Sequence, residues 1–99
     1  MKKLQILVLL ILASCSNKNE IQKVAELSCG QCQFELKEGG CDLAVKFDDK
    51  AYFIDGFGID DFGDAHDLNK GFCNVVRKGQ VTGEIVDGRF LASNIKLID

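Results

Sequence analysis

The chain has 99 residues, with 12 basic and 15 acidic side chains, so its formal charge is −3. This length allows a single domain. Without a basic surplus to neutralise phosphates, the composition argues against a nucleic-acid-binding protein. A hydrophobic fraction of 46%, ten glycines, five cysteines and no proline exclude collagen, a coiled coil and a multi-pass membrane protein.

The first fourteen residues resemble the signal peptide of a bacterial lipoprotein. Lys2 and Lys3 precede an apolar stretch over 4–13, which is too short to cross a bilayer. The segment ends in Leu-Ala-Ser-Cys15, which resembles a lipobox. That resemblance implies cleavage before Cys15 and acyl chains on this cysteine, which would anchor the protein to a membrane. Ser16 after the cysteine favours the outer membrane of the cell envelope.

The boundaries of the signal peptide divide the chain into three parts. We expect a signal peptide over 1–14, a lipidated cysteine with a short polar tether over 15–20, and one folded domain over 21–99. The first element of that domain, 21–27, has a period that fits a helix as well as a strand. Residues 43–47 alternate in polarity and, with 51–55, predict a hairpin.

The second half of the domain begins with a loop rich in glycine and aspartate over 56–71. Helical spacing then predicts a short helix over 72–78, with Gly79 as its C-cap. Strands over 80–86 and 89–98 flank Asp87-Gly88, a strong hairpin signal. Strict alternation along the last strand places Phe90, Ala92, Asn94 and Lys96 on one face.

The element order predicts a mostly β fold. Five strands with one short helix between strands 3 and 4 are typical of a small OB-like Greek-key barrel, and the segment 81–90 resembles the closing hairpin of small periplasmic OB-fold proteins. The competing interpretation is an irregular α+β domain in which the same hairpins stay unclosed.

Four cysteines and the lone histidine are the residues most able to carry chemistry: Cys29, Cys32, Cys41, Cys73 and His66. An exported protein meets oxidising conditions, so the cysteines could form two disulfides, in any of three pairings. The Cys-x-x-Cys spacing also permits a tetrahedral metal site, with zinc held by four cysteines or by three and His66, or with Cu(I). In a third interpretation, Cys29 and Cys32 form a thiol-redox pair.

An acidic loop surrounds the histidine, and Asp64 or Asp67 could orient the imidazole of His66 if that ring binds a metal. The loop does not match an EF-hand. We find no catalytic triad pattern and no phosphate-binding loop, which favours a binding module over a conventional enzyme.

Five motifs stand out along the domain: Cys29-Gly-Gln-Cys32-Gln-Phe, Gly-Cys41-Asp-Leu-Ala-Val, Tyr52-Phe-Ile-Asp-Gly, Gly-Asp-Ala-His66 and Gly-Phe-Cys73. Together they resemble a family of small bacterial envelope lipoproteins classed as a domain of unknown function. The resemblance implies export and a shared architecture, and no activity.

These observations give three functional hypotheses. The first is a lipid-anchored, non-enzymatic envelope module that binds zinc or copper through its cysteines and histidine. The second is a disulfide-stapled module that binds an envelope protein or a glycan, and the third is a thiol oxidoreductase.

Overall fold

The computed structural model describes residues 20–37 and 40–99. The predicted signal peptide lies outside the described residues, as do Cys15 and all of the tether except Glu20. Five strands and one single-turn helix make up the described elements: β1 (Ile21–Cys29), α1 (Gly30–Gln33), β2 (Leu43–Phe47), β3 (Lys50–Asp55), β4 (Arg77–Val86) and β5 (Arg89–Leu97). Within the described ranges, no helix has the length and apolar character needed to span a membrane.

The five strands close into a barrel in the order β1-β2-β3-β5-β4, with β4 pairing back onto β1. Strand neighbours are antiparallel except β3 and β5, which run parallel where Ile54 faces Phe90. The mostly β, five-stranded OB-like Greek-key barrel predicted from the sequence is therefore confirmed. The ambiguous first element is a strand, and its pairing with both β2 and β4 rules out the unclosed alternative.

The short helix lies between β1 and β2. The sequence-based prediction of a helix over 72–78, between strands 3 and 4, is therefore wrong. A single turn forms there, in which the amides of Asn74 and Val75 both donate to the carbonyl of Gly71. It does not propagate, because the buried hydroxyl of Ser28 lies 2.7 Å from the carbonyl oxygens of both Phe72 and Val75. Ser28 of β1 thus contacts carbonyl oxygens that would accept hydrogen bonds within a longer helix. Strand β4 begins at Arg77, three residues before its predicted start.

The barrel interior is filled by apolar side chains that alternate along the strands. The largest of the fully buried side chains is Phe90, whose ring packs edge-on against Phe47, with centroids 5.9 Å apart. The contiguous core cluster consists of Ala25, Leu27, Leu43, Val45, Ile54, Phe72, Val81, Phe90, Ala92 and Ile95.

A β-bulge in the β4–β5 hairpin changes which face of β5 points inward. Thr82 pairs with Asn94 while Gly83 pairs with Ala92, so Ser93 has no residue opposite it. After this extra residue the alternation reverses, and Ile95 becomes buried. The predicted face of Phe90, Ala92, Asn94 and Lys96 is therefore correct only as far as Ala92.

The side chain of Asp99 ties the end of β5 to the start of β4. Asp99 accepts hydrogen bonds from the amide of Lys78 at 3.0 Å and from Nε of Arg77 at 3.3 Å. Burial by itself would raise the pKa of the Asp99 carboxyl. The Lys78 amide and the Arg77 charge outweigh that effect, so the pKa lies below its ordinary value.

Candidate metal centre

Three separate segments bring four cysteines together at one end of the barrel. Cys29 is the last residue of β1 and Cys32 lies in α1. Cys41 stands two residues before β2, and Cys73 lies in the long connection from β3 to β4. Their four sulfur atoms all lie within 4.8 Å of one another. Residues 44 positions apart in the sequence thus present ligands to a single point.

The distances between the sulfur atoms show a cluster of four free thiols. The Sγ of Cys29 lies 2.7 Å from that of Cys32 and 2.9 Å from that of Cys41. Cys41 Sγ is also 2.9 Å from Cys73 Sγ and 3.9 Å from Cys32 Sγ. Around a zinc ion with Zn–S bonds near 2.3 Å, a tetrahedron of sulfurs has edges of about 3.8 Å. The three short separations would therefore widen by about 1 Å to seat an ion.

Backbone hydrogen bonds hold the cysteine segments in register. The amide of Cys29 donates to the carbonyl of Phe72 at 3.0 Å, and the amide of Gly30 donates to the carbonyl of Asp42 at 2.8 Å. The first bond joins the end of β1 to the Cys73 loop, and the second joins α1 to the Cys41 segment. The three segments that carry the ligands are thus joined to one another by main-chain contacts.

Gly30 lets the Cys-x-x-Cys turn pack against the barrel. A Cβ atom at this position would lie 2.8 Å from the ring of Phe53 and 2.9 Å from Cδ1 of Leu36. These distances are shorter than normal carbon–carbon contacts. A side chain here would therefore push α1, and Cys32 with it, away from the other sulfurs.

The Cys73 loop depends on two small residues. Ser28, fully buried at 0% exposure, holds the loop through the two carbonyl contacts described above. The amide of Cys73 donates to the carbonyl of Ala65 at 3.0 Å. A Cβ atom on Gly71 would overlap that same oxygen. Any larger residue at position 71 would displace the loop that presents Cys73.

Two glutamines join the cysteine segments at the surface. Gln31 Oε1 accepts from the amide of Asp42 at 2.9 Å, and its Nε2 donates to the Asp42 carboxylate at 3.0 Å. Gln33 Nε2 donates to the carbonyl of Cys73 at 3.2 Å. The residues on either side of Cys32 are therefore fixed to the two other segments of the site. Sequence reasoning missed both glutamines, although their positions beside Cys32 were the available signal.

The thiols have different proton affinities. Burial by itself raises the pKa of the Cys29 thiol. Hydrogen bonds with the thiols of Cys32 and Cys41, and with the amides of Cys32 and Gln31, outweigh the effect of burial. The net result is a pKa below the ordinary value of a cysteine. The hydrogen bond with Cys29, followed by burial, raises the pKa of Cys32 to about 11. Burial, followed by the hydrogen bonds with its three cysteine neighbours, raises the pKa of Cys41. Of these three thiols, Cys29 is thus the first to ionise, and binding of a cation would release protons from those that remain protonated.

The structure leaves the histidine outside the cluster. The imidazole of His66 is 86% exposed, with Nδ1 3.9 Å from Oδ1 of Asp64, and His66 is not among the residues whose ligand atoms converge with the cysteines. Asp64 Oδ1 accepts from the amide of His66. Asp67 Oδ2 accepts from the amides of Asn69 and Lys70. Both carboxylates therefore stabilise turns of the loop.

Comparison with known proteins places the chain in a family. The model of a family of unknown function, DUF6370, matches residues 23–98, and the chain belongs to that family. Neither a curated protein nor a solved structure matches the chain. The match confirms the expected membership of an uncharacterised family, and the cysteine cluster lies inside the matched range. The lipoprotein signal stays a prediction.

Proposed function

We propose that the protein is a lipid-anchored module of the bacterial cell envelope that binds one transition-metal ion through four cysteines. Cys29, Cys32, Cys41 and Cys73 are the ligands. The observation that carries the proposal is the convergence of their sulfur atoms within 4.8 Å. Four sulfur ligands around one centre match a closed tetrahedral site, which binds a metal without leaving a position for substrate. The proposed role is binding rather than catalysis.

The donor set favours a soft or borderline ion. Thiolates select Zn²⁺, Cu(I) and iron–sulfur centres, whereas hard cations prefer oxygen ligands. A tetrahedron of four sulfurs suits Zn²⁺ in particular, and Cu(I) is the alternative that the same ligands would accept. The exposed position of His66 supports an all-sulfur site over one with three cysteines and a histidine.

The arrangement of Cys41 supports a metal site over two disulfides. Its sulfur lies at the same distance, 2.9 Å, from both Cys29 and Cys73. Structural disulfides would divide the four sulfurs into two bonded pairs with S–S distances near 2.05 Å. A disulfide-stapled module that binds an envelope protein or a glycan therefore ranks second. A thiol-redox pair ranks third, because Cys29 is buried and shares its sulfur contacts with Cys41.

The location in the envelope rests on the sequence before the described residues. Two lysines, a short apolar stretch and Cys15 together form the lipoprotein signal. Replacing Cys15 with serine removes the thiol that would carry the lipid. We expect Cys15→Ser to move the protein from the membrane fraction to the soluble or precursor pool, with the metal site intact.

The experiment that tests the metal site is intact mass spectrometry of the full chain, exported by a bacterial host and purified in detergent without reductant or chelator. Under native conditions we expect one metal ion per chain, and after denaturation four free thiols. Serine at any one of the four cluster positions should weaken metal affinity by about tenfold or more. Cys15→Ser makes the same chemical change outside the cluster and should retain one ion. A metal-free chain lighter by four hydrogens would instead establish two disulfides and overturn the proposal.

A further inference from the structure

Most of the barrel core lies apart from the cysteine cluster, although Cys29 is itself a fully buried residue of β1. Within the described ranges, the contiguous core cluster contains none of the four cysteines, and the strand ladder closes on itself between β1 and β4. A structural zinc site supplies the folding free energy that its small domain lacks. Here an apolar core and a closed strand ladder exist besides the four sulfurs, so we expect the barrel to persist without an ion at the cysteines.

Exposure increases across the four ligands from the barrel outward. Cys29 is completely buried at 0% exposure, Cys41 and Cys73 are partly buried, and Cys32 is exposed. Solvent access to a metal site is set by the shell around its ligands. An ion held by these sulfurs would thus be enclosed on the side of Cys29 and reachable from solvent on the side of Cys32.

The exposed ligand stands between two fixed neighbours. The Gln31 side chain is hydrogen-bonded to Asp42, and that of Gln33 to the carbonyl of Cys73. The backbone on both sides of Cys32 is therefore tied to the rest of the site. Cys32 is the exposed ligand, so it is the one that a thiol of another molecule can approach with the least rearrangement of the site.

We infer that the ion is an exchangeable cargo, transferred to or from a thiol-bearing partner by ligand exchange at Cys32; this rests on the metal site of the proposed function. In the transfer step, a thiolate of the partner forms a bond to the ion as the bond between the ion and Cys32 breaks. The charge on the ion does not change. Cys32 leaves as a thiolate and takes a proton from solvent. The partner's remaining thiolates then replace Cys41, Cys73 and finally Cys29, the buried ligand.

The test uses the full chain in detergent, loaded with one equivalent of Zn²⁺ and mixed with a metal-free synthetic peptide that carries two Cys-x-x-Cys pairs. Native mass spectrometry of samples taken over time measures zinc on each species. We expect the transfer rate to rise in proportion to peptide concentration. We also expect Cys32→Ser to accelerate transfer by about tenfold, since an alkoxide or water is a weaker zinc ligand than a thiolate. Cys73→Ser is the matched control and should accelerate it less.

Two further measurements do not depend on a variant that folds. Limited alkylation of the zinc-loaded wild-type chain should modify Cys32 before the other three cluster cysteines. Circular dichroism of the metal-free chain should retain the signal of the strands. The exchange proposal would be overturned, with the metal site left standing, if the transfer rate did not depend on peptide concentration and equalled the unfolding rate. Alkylation that begins at a cluster cysteine other than Cys32 would have the same consequence. A chain that takes up no zinc in the loading step would overturn the proposed function itself and this inference with it.

Discussion

Replacement of Ser28 with alanine tests how the Cys73 loop is held against the barrel. The Ser28 hydroxyl is fully buried and lies 2.7 Å from two carbonyl oxygens of that loop, those of Phe72 and Val75. The Phe72 carbonyl keeps a second partner in the amide of Cys29. The Val75 carbonyl would lose the hydrogen bond that the structure gives it. Alanine therefore removes a hydrogen bond to a partly buried carbonyl.

The expected destabilisation follows from these contacts. A hydrogen bond contributes about 1 kcal/mol net, and a polar group left unpaired costs about 1–3 kcal/mol when it is fully buried and less when, as here, it is partly buried. We therefore expect Ser28→Ala to lower the free energy of unfolding by about 2 kcal/mol. For a domain of this size each kcal/mol corresponds to roughly 4–8 °C in Tm, so the expected decrease in Tm is about 8–16 °C.

Thermal melting followed by circular dichroism measures this change, and the zinc content of the purified variant reports on the site. Ser93→Ala is the matched control, because the Ser93 hydroxyl bonds to the Thr82 carbonyl at 3.2 Å on the exposed surface. The control should change stability by less than about 0.5 kcal/mol. If both alanine variants melt within 2 °C or so of the wild type, the Ser28 hydroxyl does not hold the loop and the reasoning is refuted.

Three other changes have defined outcomes. Gly71→Ala places a methyl group against the Ala65 carbonyl. It should destabilise the fold by about 1–3 kcal/mol and reduce the metal bound in titrations. At Gly58 the nearest atom to an added Cβ is 3.7 Å away, so Gly58→Ala should change neither stability nor metal binding. Asp99→Asn should lower Tm near neutral pH. Because the native pKa of Asp99 is lowered, its contribution to stability is present above the unfolded pKa of about 3.9 and is lost as pH falls through the native value. A difference in Tm that does not shrink as the pH is lowered from neutral into the acid range would contradict the assignment. His66→Ala should leave zinc affinity unchanged in competition with a chromophoric chelator, and a tenfold or so weaker affinity would show that the imidazole reaches the ion.

The barrel was predictable because its signals are local. Alternating polarity marks the β2–β3 hairpin, and Asp87-Gly88 specifies the turn between β4 and β5. Both turn residues adopt positive φ, as such a two-residue turn requires. Five strands in this order leave few ways to close a small barrel, so the fold followed from the order of the elements.

The misplaced helix and the bulge were not predictable, because each depends on a distant partner. The helical spacing of Phe72 and Val75 is real, but Ser28, 44 positions before Phe72, binds the carbonyls that would continue the helix. The reversal of faces in β5 depends on the pairing of Gly83 with Ala92. Nothing in the sequence of either segment alone indicates those contacts.

The cluster of four cysteines was predictable from the sequence, whereas the positions of His66, Gln31 and Gln33 relative to that cluster were not. The Cys-x-x-Cys spacing and the two further cysteines indicated a cluster, and the structure brings all four together. The position of His66 depends on the direction in which a long loop turns, which its own sequence does not determine. The roles of Gln31 and Gln33 depend on hydrogen bonds to residues of other segments.

The most direct test of the four-cysteine metal centre is X-ray absorption at the edge of the bound metal, recorded on the full chain as purified. We expect one ion per chain surrounded by four sulfur atoms, at about 2.3 Å if the ion is zinc. Fewer than three sulfur neighbours, or a metal-free chain whose four cysteines are joined in two disulfides, would contradict this account of the protein.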